Sequence, residues 1–174
     1  MSLVREGLLA LTTVGPAYGL QLRNELASRT QRSINGGQAY STLERLERDG
    51  LLHEVGRTAD KLLLFEATAA GREHVANWLS SPSGGYEAMV FQVSLALSLP
   101  NHSSAALIDA YRRSWQQPGP RSGSETPHGA LFLRADELLA EAALAWLEEA
   151  SNASDTGWGF SAHRPRRGRR PKVS

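Results

Sequence analysis

Four side chains define the chemistry open to this chain. Gln38, Ser41, Arg45 and Arg48 recur at offsets of three, four and three. That spacing brings residues onto one face of an α-helix. Together they offer an amide, a hydroxyl and two guanidinium groups. Such groups hydrogen-bond base edges and phosphate oxygens in a major groove. An ordinary solvated helix face carries the same residue types, so the neighbours must decide. The four lie within Gly36 to Gly50. Ala39, Leu43 and Leu46 fall on another face at helical spacing and are expected to meet a core. Gly50 suits a helix end.

Other chemistries find little support. The chain has no cysteine, which removes disulfides, thiolate catalysis and cysteine-ligated zinc. His53, His74, His102, His128 and His163 do not pair at metal-ligand spacing. A nucleophile elbow, a Walker-type phosphate loop and GxGxxG are all missing from the sequence. Glu137 and Glu141 stand one helical turn apart, an ordinary arrangement for surface acids. No enzyme activity, cofactor or metal is expected. No apolar run is long enough to span a bilayer, and Arg5 and Glu6 interrupt the apolar N-terminal stretch. The expected compartment is the cytoplasm.

Net charge is +1 over 174 residues, but its distribution is uneven. Residues 1–82 hold nine basic and nine acidic side chains, and residues 83–160 hold four and nine. The last fourteen residues hold six basic and no acidic side chains. A basic tail on a neutral body suits a polyanion, or serves only solubility.

Several elements must position the four side chains. Leu3, Val4, Leu8 and Leu11 form a helical stripe with Ser2 as a cap, and Gly15-Pro16 stops that helix. A second helix is expected from near Pro16, with Tyr18, Leu22 and Leu26 buried and Arg23 and Arg29 off that face. A polar connection then leads into the Gly36–Gly50 helix. Leu51 to Val55 and Leu62 to Phe65 flank a polar turn and predict a β-hairpin, with Arg57 and Lys61 near its tip. Thr68 caps a fourth helix, with Val75, Trp78 and Leu79 inward. Ser80 to Gly85 is rich in Ser, Pro and Gly and is read as a boundary. Helix, helix, helix, hairpin, helix is the order of a winged helix-turn-helix, whose third helix enters the major groove.

Gly15-Pro16-Ala17-Tyr18-Gly19-Leu20-Gln21-Leu22 resembles the glycine-proline, tyrosine, leucine signature of the PadR family of bacterial transcriptional regulators. Gly37-Gln38-Ala39-Tyr40-Ser41-Thr42-Leu43 and Leu46-Glu47-Arg48-Asp49-Gly50-Leu51-Leu52 resemble its recognition helix and exit into the wing. Thr68-Ala69-Ala70-Gly71-Arg72 is similar to the start of its fourth helix. The resemblance covers roughly residues 3–80. The wing departs from it: Asp60 sits between Arg57 and Lys61, and Leu62-Leu63-Leu64-Phe65 replaces an aromatic-rich strand. Ser41 stands where the family often has proline. The resemblance implies a homodimeric repressor on an inverted-repeat operator in double-stranded DNA. Its target would be its own gene or a neighbouring transporter or detoxification gene, with release by a small aromatic effector. Carried over, Gly37, Gln38, Tyr40, Ser41 and Thr42 would face bases and nearby phosphates. Tyr18 and Arg23 would face the backbone, and Arg57 and Lys61 would act from the wing.

The remainder divides into a helical region, 83–150, and a tail, 151–174. Residues 86–99 alternate like a strand yet also carry a helical stripe, and their length favours helix. Asn101 or Ser103 is expected to cap a helix with Ala105, Ile108, Tyr111 and Trp115 inward. Gln116 to Gly129 is read as a loop. Leu131 to Ala150 predicts a long helix, with Arg134, Glu137, Glu141 and Glu148 along a polar stripe. Its broad apolar band, Leu131, Ala135, Leu138, Leu139, Ala142 and Trp146, is read as a dimerisation surface. Trp78, Phe91, Tyr111, Trp115 and Trp146 are candidates for a pocket accepting a flat aromatic molecule, though they would equally serve as core. The chain from Ser151 onward reads as disordered and ends in an arginine-rich arm. The expected fold is mostly α with one small β-hairpin: a winged helix-turn-helix over 1–82 followed by a helical dimerisation region. Two other functions compete. One is a protein-binding winged-helix module, and the other a nonspecific DNA binder using the tail.

Overall fold

The structure, a computed structural model, describes residues 2–117, 127–153 and 157–161. Helix α1 (Leu3–Thr12) buries Val4, Leu8, Leu9 and Leu11. Ser2 occupies its cap position without a side-chain hydrogen bond. The chain turns at Gly15, whose φ of 151° favours glycine. Ala17 then exchanges two backbone hydrogen bonds with Phe65, at 3.1 and 2.9 Å. That extended pairing delays α2, which runs Gly19–Thr30 and does not begin at Pro16.

Helix α3 (Gly36–Arg48) starts at Asn35, whose side chain accepts from the Gln38 amide at 2.8 Å. It ends at Asp49, and Gly50 follows at φ 72°. Strands β1 (Leu52–Arg57) and β2 (Leu63–Ala67) pair antiparallel from Leu52 opposite Ala67 to Arg57 opposite Leu63. A register shift at Val55 lies between Glu54 and Gly56. Thr68 caps α4 (Ala69–Leu79), accepting from the Gly71 amide at 3.0 Å.

Helix α5 (Tyr86–Ser98) settles the ambiguous segment. Met89, Phe91, Gln92, Val93, Leu95, Ala96 and Ser98 are all buried on it. A helix covered on several sides needs no single stripe, which is why its sequence imitates a strand. It packs on α1 and α2 as well as on α7. Its Gln92 fastens the Ser80–Gly85 junction. Gln92 Nε2 donates to the carbonyls of Trp78 and Ser81, and Oε1 accepts from Tyr111 and Ser83 hydroxyls. Burial pushes the Tyr111 phenol above its ordinary pKa, and hydrogen bonding with Ser83 opposes that rise.

Helix α6 (Ala105–Gln116) is capped by neither Asn101 nor Ser103. Ser104 holds the N-cap position, and Asn101 adopts a positive φ of 59°. Ala105 is exposed, and Leu107, Ile108 and Tyr111 are its buried residues. Helix α7 (Pro127–Asn152) packs on α6 and α5 through Ala143, Leu147 and Ala150. The expected loop therefore ends before Pro127, and residues 118–126 lie outside those described. One hydrophobic cluster runs from α1 through α7. Among the described residues no helix is long and apolar enough to cross a membrane.

Two further sequence expectations fail. Arg29 is buried at 5% exposure, although its position on α2 suggested an outward side chain. The chain after α7 does not lack structure throughout: Gly157–Ser161 lies against α2 and the end of α5. The two facts have one cause. Arg29 donates to Glu25 and to the carbonyls of Ser98, Trp158 and Gly159. The returning chain thus supplies acceptors that permit the burial. Residues 154–156 and 162–174, including the arginine-rich arm, lie outside the described residues.

Candidate nucleic-acid interface

On α3, Ala39, Leu43 and Leu46 are buried and so fix which face turns outward. Gln38, Tyr40, Arg45 and Arg48 are exposed, and Ser41 and Thr42 are half-buried. The Ser41 and Thr42 hydroxyls donate to the Gln38 carbonyl at 3.2 and 2.7 Å. Their oxygens keep acceptor capacity. Among the described residues the guanidinium groups of Arg45 and Arg48 have no hydrogen-bond or ion-pair partner. Gly36 and Gly37 carry no side chain to shield the helix start, where amides and the helix dipole favour an anion.

The helix is held at both ends. Near its start the Tyr40 ring lies over Gly19 at the beginning of α2; a Cβ there would sit 2.7 Å from the ring. At its end Asp49 accepts from Arg5 at 2.8 Å. Arg5 also reaches Glu6 at 3.1 Å, and Glu6 meets His74 of α4 at 2.7 Å. Glu6 is 1% exposed. This charged chain ties α1 and α4 to the end of α3. Its sequence signal was a carboxylate interrupting an apolar stretch.

Arg57 and Lys61 are exposed at the hairpin tip. The tip closes through the Thr58 carbonyl, which accepts from the Lys61 amide at 2.8 Å, with Lys61 at φ 61°. Arg57 lies 3.4 Å from Glu54, so its charge is partly answered before any partner arrives. The remaining two candidates fit less well. Tyr18 is 3% exposed and belongs to the core, which corrects its reading as a phosphate contact. Arg23 is half-buried, with its guanidinium hydrogen-bonded to the Asn24 side chain at 2.9 and 3.1 Å.

The aromatic candidates divide between full and partial burial. Trp78, Phe91 and Tyr111 are buried core, while Trp115 and Trp146 are half-buried. Trp115 Nε1 points at Met89 Sδ, 3.1 Å away. A cleft of about 390 Å³ lies between Thr30–Ser33 and the start of α5, and Phe91 is the one member of the five that lines it.

Residues 8–77 match the family model described as transcriptional regulator PadR-like. Over those residues the chain is similar to that family. No curated protein matches the chain. Two solved structures are similar. The Bacillus subtilis PadR in complex with operator DNA is 14% identical with a TM-score of 0.44, covering 85% of this chain and 96% of that one. A second structure, of Bacillus subtilis PadR, is 19% identical with a TM-score of 0.37, covering 84% of this chain and 92% of that one. The PadR-like match runs from within α1 to within α4, and so contains α2, α3 and the hairpin.

Proposed function

We propose that the chain is a homodimeric repressor that reads an inverted-repeat operator with α3 in the major groove and the β1–β2 wing on the adjacent backbone. One observation carries this reading: Arg45 and Arg48 present unpaired guanidinium groups on the face of α3 opposite its buried residues. Charged donors left unpaired on a rigidly seated helix suit guanine edges and phosphates. The Bacillus subtilis protein is described with operator DNA, and the same class of partner is proposed here. Arg45→Ala is expected to weaken specific binding by roughly 1–3 kcal/mol. Fluorescence anisotropy would measure this on the gene's own upstream intergenic DNA against a scrambled duplex. Equal binding of both duplexes by the unaltered protein would refute sequence reading, and a silent Arg45→Ala would remove α3 from it.

Dimerisation is supported by the first half of α7. Leu131, Phe132, Leu138 and Leu139 are 69, 74, 49 and 42% exposed there, and Ala135 and Ala142 share the exposed stretch. So large an apolar surface marks a contact site. A two-fold pair would present two α3 helices to half-sites about one helical turn apart. Leu138→Arg is expected to shift the protein to monomer in sedimentation and to cut operator affinity. An unchanged sedimentation coefficient would place the contact elsewhere. The target, its own gene or a neighbouring transporter or detoxification gene, follows the family pattern. Release by a small aromatic effector rests on the cleft beside Phe91. Such a ligand acts only by binding one spacing of the α3 helices better than another.

A further inference from the structure

The outward face of α3 carries two kinds of free donor, set apart along the helix. Seven residue steps separate Gln38 from Arg45. At about 100° per step, seven steps return to within about 20° of the starting direction, two turns further on. Both side chains are exposed. Among the described residues, neither the Gln38 side-chain amide nor the Arg45 guanidinium has a hydrogen-bond or ion-pair partner. The residues between them are occupied differently. The Ser41 and Thr42 hydroxyls donate back to the Gln38 carbonyl at 3.2 and 2.7 Å, so their hydrogens are committed within the helix. The Tyr40 ring packs over Gly19, and Ala39 and Leu43 are buried. Glu44 is exposed, but a carboxylate can only accept. From Gln38 to Arg45, therefore, Gln38 alone offers a free donor beside a free acceptor, and Arg45 alone offers a free fork of donors.

We infer that each operator half-site carries an A·T pair read by Gln38 and a G·C pair read by Arg45, two to three base-pair steps apart, with Arg48 on a phosphate. The inference rests on the DNA-binding reading above and names the bases that α3 selects. In the major groove adenine presents an acceptor, N7, beside a donor, the N6 amine, which a side-chain amide matches at both points. Guanine presents two acceptors, N7 and O6, which match two N–H groups of a guanidinium. The separation follows from the helix. Seven steps cover about 10 Å of its axis. Base pairs repeat every 3.4 Å or so, which gives about three steps for a helix lying along the duplex axis. A helix inclined with the groove advances by about one base pair per three residues, which gives about two. Arg48 is the last residue of α3 and precedes Asp49, whose carboxylate is held by Arg5. Recognition helices meet base edges mainly through their N-terminal residues. The far end of α3 thus belongs at the rim of the groove, where a guanidinium meets phosphate.

The test begins with selection by the full-length protein from random-sequence duplexes. Anisotropy then measures binding to every single-base variant of the selected half-site, across a salt series. The unaltered protein is compared with Gln38→Ala, Arg45→Ala, Arg45→Gln and Arg48→Ala. All three side chains are exposed, so the variants should melt with the unaltered protein. Gln38→Ala is expected to erase an adenine preference of roughly five- to 150-fold at one position and to leave the others in place. Arg45→Ala should erase a guanine preference of similar size two or three steps away, and Arg45→Gln should turn that preference toward adenine. Arg48→Ala should weaken binding to all half-site variants alike and reduce the salt slope by about one. A retained adenine preference in Gln38→Ala, or a retained guanine preference in Arg45→Ala, would overturn the base assignments. Selected pairs more than three steps apart would do the same. In each case α3 stays the reader if other positions still respond to its substitution. Loss of preference at a single position in Arg48→Ala would overturn the phosphate contact. Selection that enriches no sequence would defeat the operator reading and this inference together.

Discussion

Glu25→Ala is expected to lower stability by about 3–5 kcal/mol, the cost of leaving a buried charge without its counter-ion. The side chains of Arg29 and Glu25 are 0 and 6% exposed, and they meet at 2.9 Å one turn apart on α2. After the change, Arg29 would keep the Ser98, Trp158 and Gly159 carbonyls, which are neutral acceptors. Ser161 would lose its acceptor as well. For a chain of this size each kcal/mol moves Tm by roughly 2–4 °C, so a drop of about 10 °C is expected in a thermal melt. A surface ion pair at the same spacing is worth only about 0.3–0.5 kcal/mol. A shift of one or two degrees would therefore show that water reaches the pair. Replacing both partners, Glu25→Leu with Arg29→Met, should recover part of the loss but not all of it. The charge is then gone, yet the Trp158 and Gly159 carbonyls lose their donor, while the Ser98 carbonyl keeps the Trp158 amide.

That pair also marks where sequence reasoning ran out. On α3 the pattern sufficed, because Ala39, Leu43 and Leu46 repeat at helical spacing and burial follows the period. The hairpin and the Thr68 cap were legible for similar reasons, since turn and cap chemistry is local. Arg29 was not. Its burial depends on acceptors from residues 98 and 158–159, contacts across about 70 and 130 positions that no local pattern encodes. Tyr18 shows a related limit. Its spacing with Leu22 and Leu26 indicated the core, and the family motif suggested an outward role; packing follows the spacing. The composition of 151–174 indicated disorder, yet Phe160 was a signal against it, since a large aromatic side chain gains by covering apolar surface. The α2 start was misplaced because a two-way backbone pairing with Phe65 outweighs a proline's preference for a first helical turn.

Gly71→Ala is expected to destabilise the protein by about 1–3 kcal/mol or more, the cost of overpacking a close contact. Propensity alone gives the opposite sign. Gly71 lies on α4, where alanine normally gains about 1 kcal/mol over glycine. The geometry reverses it: a Cβ at Gly71 would lie 1.9 Å from the Leu51 carbonyl oxygen and 2.9 Å from its carbon. These are backbone atoms, so no side chain can swing aside. The Leu51 carbonyl also accepts from the Thr68 amide at 3.0 Å, and the Thr68 hydroxyl donates to the Gly50 carbonyl at 2.8 Å. Room for the methyl can come only by separating α4 from the turn that leads out of α3 into β1. That turn sets the angle between recognition helix and wing, so operator affinity should fall together with Tm. Gly36→Ala is the control, because nothing lies within 4 Å of a Cβ there. It should leave Tm unchanged or slightly raised. If Gly71→Ala behaves like Gly36→Ala in a melt, α4 and the α3 exit are not held as closely as this contact requires.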